Sequence, residues 1–211
     1  MVPRWLQRIA VYALVVSTGA AVLSLEILGG RSLQPYFGSG LHVWGSILSV
    51  FMVSLAVGYW VGGALSERRP SLAKLMVFPL LGGCIIFLLP HVYDGVNNAL
   101  FDLVVIRWGS QESYASLLAA SAEFLLPSAV LGCVSPYAVR LLATEVATTG
   151  RTAGNLYALS TVGSTAGALA TSFWLVPLLG VEDLYRYLGL GLVGLSVLGL
   201  ASSLRRKRET N

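Results

Sequence analysis

The chain has 211 residues, 55% of them hydrophobic and 11% charged, with a mean hydropathy of +0.74. Soluble domains carry about 25% charged residues, so this composition excludes an ordinary soluble fold, and equally a disordered tail or a disulfide scaffold. Fourteen Lys and Arg against ten Asp and Glu give a net charge of +4, too sparse and scattered for a nucleic-acid surface of the usual basic kind. The expectation is an all-α integral membrane protein whose main partner is the lipid bilayer.

A helix needs roughly 20 consecutive apolar residues to cross a bilayer. Six windows meet that demand, at about 9–30, 43–65, 72–92, 115–138, 154–177 and 184–204, and form a single transmembrane domain over 1–204. A basic tail, 205–211, follows. With a cytoplasmic N-terminus, the inner segments hold eleven cations: Arg4, Arg8, Arg68, Arg69, Lys74, Arg140, Arg151, Arg205, Arg206, Lys207 and Arg208. The outer segments hold three, Arg31, Arg107 and Arg186. That bias predicts both termini in the cytoplasm and a place in the cell (inner) membrane. The tail reads as an anchor beside anionic headgroups rather than a nucleic-acid patch. The first apolar run continues well past Gly19-Ala20-Ala21, which favours a retained span over a cleaved signal peptide.

The first span carries Glu26. A charge at mid-bilayer costs about 3 kcal/mol on insertion scales, so such a residue is a functional candidate by default. The bland alternative pairs it with Arg31, about 7–8 Å along the same helix by its rise. His42 opens the second span, where Ser54, Gly58 and Gly62 recur at four-residue spacing. Small residues so spaced let backbones approach closely in lipid, which predicts a helix inside the bundle. The third span carries Cys84 and ends at His91. Both histidines read as interfacial groups, and Cys84 and Cys133 as small buried apolar residues, because no zinc spacing is present.

The connection at 93–113 places Val96, Leu100, Leu103, Val104 and Trp108 near helical spacing, with Asn97 and Asp102 between them. A short helix resting at the outer interface is predicted. In the fourth span, Glu123 is the second intramembrane acid. Pro127 cannot donate to the carbonyl of Glu123, and Pro136 likewise frees that of Gly132, so kinks are expected there. A carboxylate beside a freed carbonyl is how membrane proteins build cation or proton sites. The structural alternative has Glu123 protonated or bonded to a serine. The fifth span repeats the small stripe with Gly163, Gly167 and Thr171, again predicting an interior helix. In the sixth, Gly189-Leu190-Gly191-Leu192-Val193-Gly194 matches a dinucleotide fingerprint in letters only, for no strand precedes it and no acid follows.

Several runs carry a family likeness. Glu26-Ile27-Leu28-Gly29-Gly30-Arg31, Pro35-Tyr36-Phe37-Gly38-Ser39 and Val43-Trp44-Gly45-Ser46 resemble the first two helices of membrane-bound spermidine synthase-like proteins. Ser54 through Gly63, Leu131-Gly132 with Ser135 through Arg140, and Gly154 through Ser164 extend the resemblance, which covers about 17–69 and 123–181. Gly63-Ala64-Leu65-Ser66-Glu67-Arg68-Arg69 resembles the major facilitator loop signature, whose key positions here are Gly63, Glu67 and Arg68. The resemblance implies half of a major-facilitator-like bundle, normally fused to an aminopropyltransferase domain. Nothing between 1 and 211 has the strand–helix alternation of that domain, so no catalytic residue, cofactor or metal is expected in this chain. Two functions follow as expectations. One is a membrane subunit or anchor working with a separately encoded soluble enzyme, a membrane complex or a second copy. The other is a transporter or half-transporter for a small cation such as a polyamine, using Glu123, Glu26 and Pro127.

Overall fold

The computed structural model describes residues 4–67, 70–109, 111–143 and 146–209, and among them no strand forms. The helices are α1 (Arg4–Phe37), α2 (Leu41–Ser66), α3 (Leu72–Leu88), α4 (Tyr93–Phe101), α5 (Glu112–Gly132), α6 (Val134–Leu142), α7 (Val146–Ala170), α8 (Val176–Leu179) and α9 (Val181–Glu209). Wider-turn π segments occupy Asp102–Arg107 and Thr171–Leu175. Six stretches are long and apolar enough to cross a membrane: Gln7–Phe37, Leu41–Ser66, Leu72–His91, Glu112–Leu142, Thr148–Leu179 and Val181–Ala201. They are referred to below as spans one to six.

The distribution of side chains is that of a membrane protein turned outward. Trp60, Met52, Phe173 and Leu198 are exposed, whereas Thr18, Ser24, Ser46, Ser54, Ser116 and Ser196 are buried. In water this arrangement would leave large apolar surfaces unprotected. In hydrocarbon it places bulk against lipid and lets small hydroxyl residues bring helices together. The chain is therefore a multi-pass membrane protein.

Local chemistry sets where the helices start and turn. Gly38 (φ 74°) and Gly180 (φ 78°) take left-handed backbone at the turns into α2 and α9, where a β-carbon would be strained. Ser71 starts α3 by accepting from the Lys74 amide at 3.3 Å. Glu182 and Asp183 lie in the first turn of α9, where the helix dipole favours acids, and Arg186 pairs with both at 3.4 and 3.0 Å.

Span one packs chiefly on span five, span two on span four, and span three on span six. Exchanging spans one to three for spans four to six maps this set of pairs onto itself. The glycines repeat the relation in atomic detail. Gly58 and Gly62 of α2 rest on the backbone at Ala129 and Cys133, while Gly163 and Gly167 of α7 rest on the backbone at Val16 and Ala20. A β-carbon at Gly62 or Gly167 would stand 2.5 Å from the carbonyl oxygen beneath it. Span three meets span six through Gly83 and Gly189, each facing the other's carbonyl. The pairing of spans is thus symmetric under exchange of the two halves.

Three expectations need correction. Spans two and five do not lie inside the bundle: the apolar window of span five is 11% buried and that of span two 33%, against 56% for spans one and four. A stripe of small residues makes one close contact, here with one partner helix, and leaves the other faces outward. Cys84 is exposed, on the outer side of α3, although Cys133 is buried. Helix α5 continues through Pro127, and span four is interrupted at Cys133, within a turn of Pro136. Finally, α1 continues past position 30 and through Pro35 to Phe37. The backbone of the basic tail continues α9 as far as Glu209.

Candidate functional site

Helix α4 lies at one end of the bundle, in the predicted interface segment, with an inward face that keeps Leu100 and Val104 of the expected set but adds Tyr93 and Asn97. Tyr93, Asn97 and Val104 are buried, and Trp108 is exposed. The spacing i, i+4, i+7, i+11 beginning at Tyr93 competes with the apolar set beginning at Val96. The structure takes the first, which carries the amide of Asn97 into the protein.

Beneath Asn97 lies Glu123 of α5. Asn97 is 0% exposed and Glu123 3% exposed. Their side chains are near neighbours, yet no hydrogen bond closes between them. Both Glu123 carboxylate oxygens and both polar atoms of the Asn97 amide are buried without a partner, as is Ser128 Oγ further along α5. A buried polar group without a partner costs about 1–3 kcal/mol, more when charged. Asp94, one turn before Asn97 on α4, is the charged residue within electrostatic reach of Glu123. No cation offsets either acid at this site among the described residues.

Tyrosines surround the pair. Tyr36 of α1 donates its hydroxyl to Asp94. Tyr185 of α9 shares a hydrogen bond with Ser32 of α1 at 3.1 Å, wholly inside the protein. Tyr93 and Tyr185 bring their rings to 6.3 Å. Burial pushes the Tyr93 hydroxyl above the ordinary tyrosine range, and the carboxylates of Asp94 and Glu182 push it the same way. Tyr93 is thus held as a neutral phenol. Four helices, α1, α4, α5 and α9, contribute to one oxygen-rich chamber near the α4 end.

Glu26 is not part of this chamber. It is partly buried on α1 and sits seven, four and three residues after Gly19, Val22 and Leu23, which line a groove between α1, α2, α5 and α7. No ion pair joins Glu26 to Arg31 among the described residues, and Arg31 is exposed. The structure thus separates the two intramembrane acids, Glu123 beside Asn97 and Glu26 on α1 beyond the residues that line the groove. Pro127 is buried in α5 one turn below Glu123. Its missing N–H leaves the Glu123 carbonyl without its helical donor.

The remaining candidates are simpler. His42 and His91 are exposed, and no group of three or more His, Cys, Asp or Glu that could hold a metal ion occurs among the described residues. Gly63 faces open space, Glu67 follows the end of α2 and is exposed, and Arg68 lies outside the described residues. Ser54 is buried and donates to the Val50 carbonyl at 2.6 Å, within its own helix. Asn97, Asp94, Tyr36, Tyr93 and Tyr185 were not singled out by sequence reasoning. The available signal was the polar residue at i+4 from Tyr93 on a helix whose apolar phase admits two choices.

The groove has a volume of about 300 Å³ and is open toward the side of the bundle. Thr18, Tyr59, Ser135, Tyr157, Ser160, Thr161 and Ser164 bring seven hydroxyls to its lining. Some are satisfied locally: Thr18 donates to the Leu14 carbonyl at 2.9 Å, and Ser164 crosses from α7 to the Gly19 carbonyl at 3.0 Å. Comparison with protein-family models, curated proteins and solved structures finds no match to this chain.

Proposed function

We propose that the chain is the membrane module of a larger complex, and that its partner, a second copy of the chain, seats on the face formed by α1, α2, α5 and α7. The observation that carries this reading is the hydroxyl-lined groove on that face, flanked by the largely unburied spans two and five. Lipid tails offer no hydrogen bonds, so polar side chains on an open intramembrane face call for a polar counterpart. The groove lies at membrane depth, and its occupant is therefore another set of spans rather than a soluble enzyme. A second copy of this chain brings the same hydroxyl row and the same exposed flanks. Native mass spectrometry from a mild detergent is expected to find two copies together. A monomer under every mild condition, or a complex with a different protein only, contradicts this reading.

The orientation belongs to the same proposal: both termini in the cytoplasm of the cell's inner membrane, supported by the charge bias between the two sets of loops. So does the kinship with half of a major-facilitator-like bundle and with membrane-bound spermidine synthase-like proteins. The exchange symmetry of the span pairs, which an inverted repeat of three spans would produce, supports the first of these. In this orientation α4 and the Glu123 chamber face outward.

A second reading has its own support. Glu123 and Asn97 are buried without partners, which suits a transporter for a small cation better than an inert anchor. Reconstituted vesicles carrying this chain are then expected to accumulate a labelled polyamine under a proton or potential gradient, and Glu123→Gln vesicles are not. Equal uptake by both, or by neither, removes this reading.

A further inference from the structure

We infer that Glu123 is a proton-binding site, with Asn97 as the group that receives it in either protonation state and with Asp94 and Tyr36 as its port to water. This goes beyond the partner seat and the cation reading and requires neither, because a proton can be bound and released here without transport or assembly.

The first argument is the inventory of partners. A buried carboxylate is stabilised by a cation or by several donors, and this one has neither. From α1 it is faced by Tyr36, from α4 by Tyr93 and Asp94, and from α9 by Tyr185, with Glu182 beside Tyr93. Residues 43–58 of α2 carry no ionisable side chain, and residues 75–90 of α3 carry one, the outward-facing Cys84. Among the described residues, the ionisable groups within electrostatic reach of Glu123 are thus acids and phenols, and Arg31, His42 and His91 are exposed. A low-dielectric setting with another carboxylate nearby favours the neutral carboxylic acid.

The second argument is the chemistry of the neighbour. A carboxylic acid needs one acceptor for its O–H, and a carboxylate needs donors. Lysine or arginine at position 97 would hold Glu123 ionised; leucine would leave it no partner in either state. The carboxamide of Asn97 serves both, Oδ1 accepting from the protonated acid and Nδ2–H donating to the carboxylate. Its two polar atoms are free to do so, because nothing else engages them.

The third argument is the route. Asp94 shares α4 with Asn97 and is exposed at the end of the bundle, where Tyr36 donates to it. When the proton leaves Glu123, the O–H bond breaks, the electron pair stays on the carboxylate, and the proton passes to Asp94 and then to water. Rotation of the Asn97 amide then presents Nδ2–H to the new charge. Uptake reverses each step.

Infrared spectroscopy of the purified full-length chain in lipid nanodiscs tests this without any transport assay. At neutral pH, where ordinary Asp and Glu are ionised, a carboxylic-acid carbonyl band is expected. Glu123→Gln, nearly isosteric, is expected to abolish it, and Glu26→Gln to leave it intact. Asn97→Leu is expected to move the band to higher frequency, because the carbonyl group loses its hydrogen-bonded surroundings. Asp94→Asn removes the like charge at an exposed position, where the fold is not at risk, and is expected to make the band disappear at lower pH than in the parent chain. Absence of the band at neutral pH, its survival in Glu123→Gln, or indifference of its titration to Asp94→Asn overturns the proposal.

Discussion

Alanine at Gly58 or Gly163 is expected to destabilise the bundle by about 2–3 kcal/mol each, the upper range for forcing extra volume into a packed contact. At both positions the added methyl runs into a backbone carbonyl, of Ala129 and Val16 respectively. A side chain in the way would rotate aside, but a carbonyl held in a helix cannot, so the helices must separate. The consequence is largest on α7, which packs mainly on α1 and buries little else. Gly163→Ala with Gly167→Ala is expected to release span five from the bundle altogether. Alanine at Gly45 or Gly63 meets open space and is expected to cause no loss, since alanine favours helix over glycine. Unfolding of the purified chain in mixed micelles measures all of these. Equal effects at the packed and the open glycines would show that the spans do not meet as described.

The paired replacement of Glu123 by Met and Asn97 by Leu is expected to do the opposite. It removes four buried polar atoms without partners and substitutes side chains of comparable bulk. Each orphaned group costs about 1–3 kcal/mol, so the double variant is expected to gain about 2–4 kcal/mol in the same micelle assay. Replacing only Asn97 gains less, because Glu123 then remains in apolar surroundings. A protein that holds such a pair at the expense of stability holds it for a function, and the stabilised variant is expected to lose the carboxylic-acid band. A double variant less stable than the parent would show that the two groups have partners after all.

Much of the fold was legible in the order of residues, because a bilayer imposes simple rules. Apolar length alone locates the spans, and glycines spaced by four mark where backbones meet. What those glycines do not encode is how many neighbours a helix has. Gly163 and Gly167 specify one close contact and are silent on the other faces, where Val162 and Leu169 of the same helix turn outward. Proline was a partial guide as well. Pro127 sits inside a continuous α5, whereas Gly132 and Pro136 together bracket the break at Cys133.

The site was legible in its acid and not in its surroundings. Glu123 stands out in any apolar run, and the insertion cost marks it without a structure. Asn97 does not stand out, because a polar residue in a connecting segment is ordinary until the phase of α4 is known. That phase depends on which of two apolar faces packs better on α5 and α9, a tertiary choice that local sequence leaves balanced. Glu26 illustrates the converse. The sequence offers it as a second intramembrane acid, yet the three-dimensional arrangement keeps it apart from Asn97 and Glu123.

Cysteine cross-linking in native membranes tests the partner seat most directly. In a Cys84→Ala background, Tyr157→Cys places a thiol on the groove, while Leu198→Cys and Leu81→Cys place thiols on the exposed outer sides of α9 and α3. With a short bifunctional thiol reagent, the Tyr157→Cys chain is expected to run as a covalent dimer, and the other two as monomers. Dimers formed through Leu198→Cys or Leu81→Cys but not through Tyr157→Cys would place the interface on the wrong face and contradict the account.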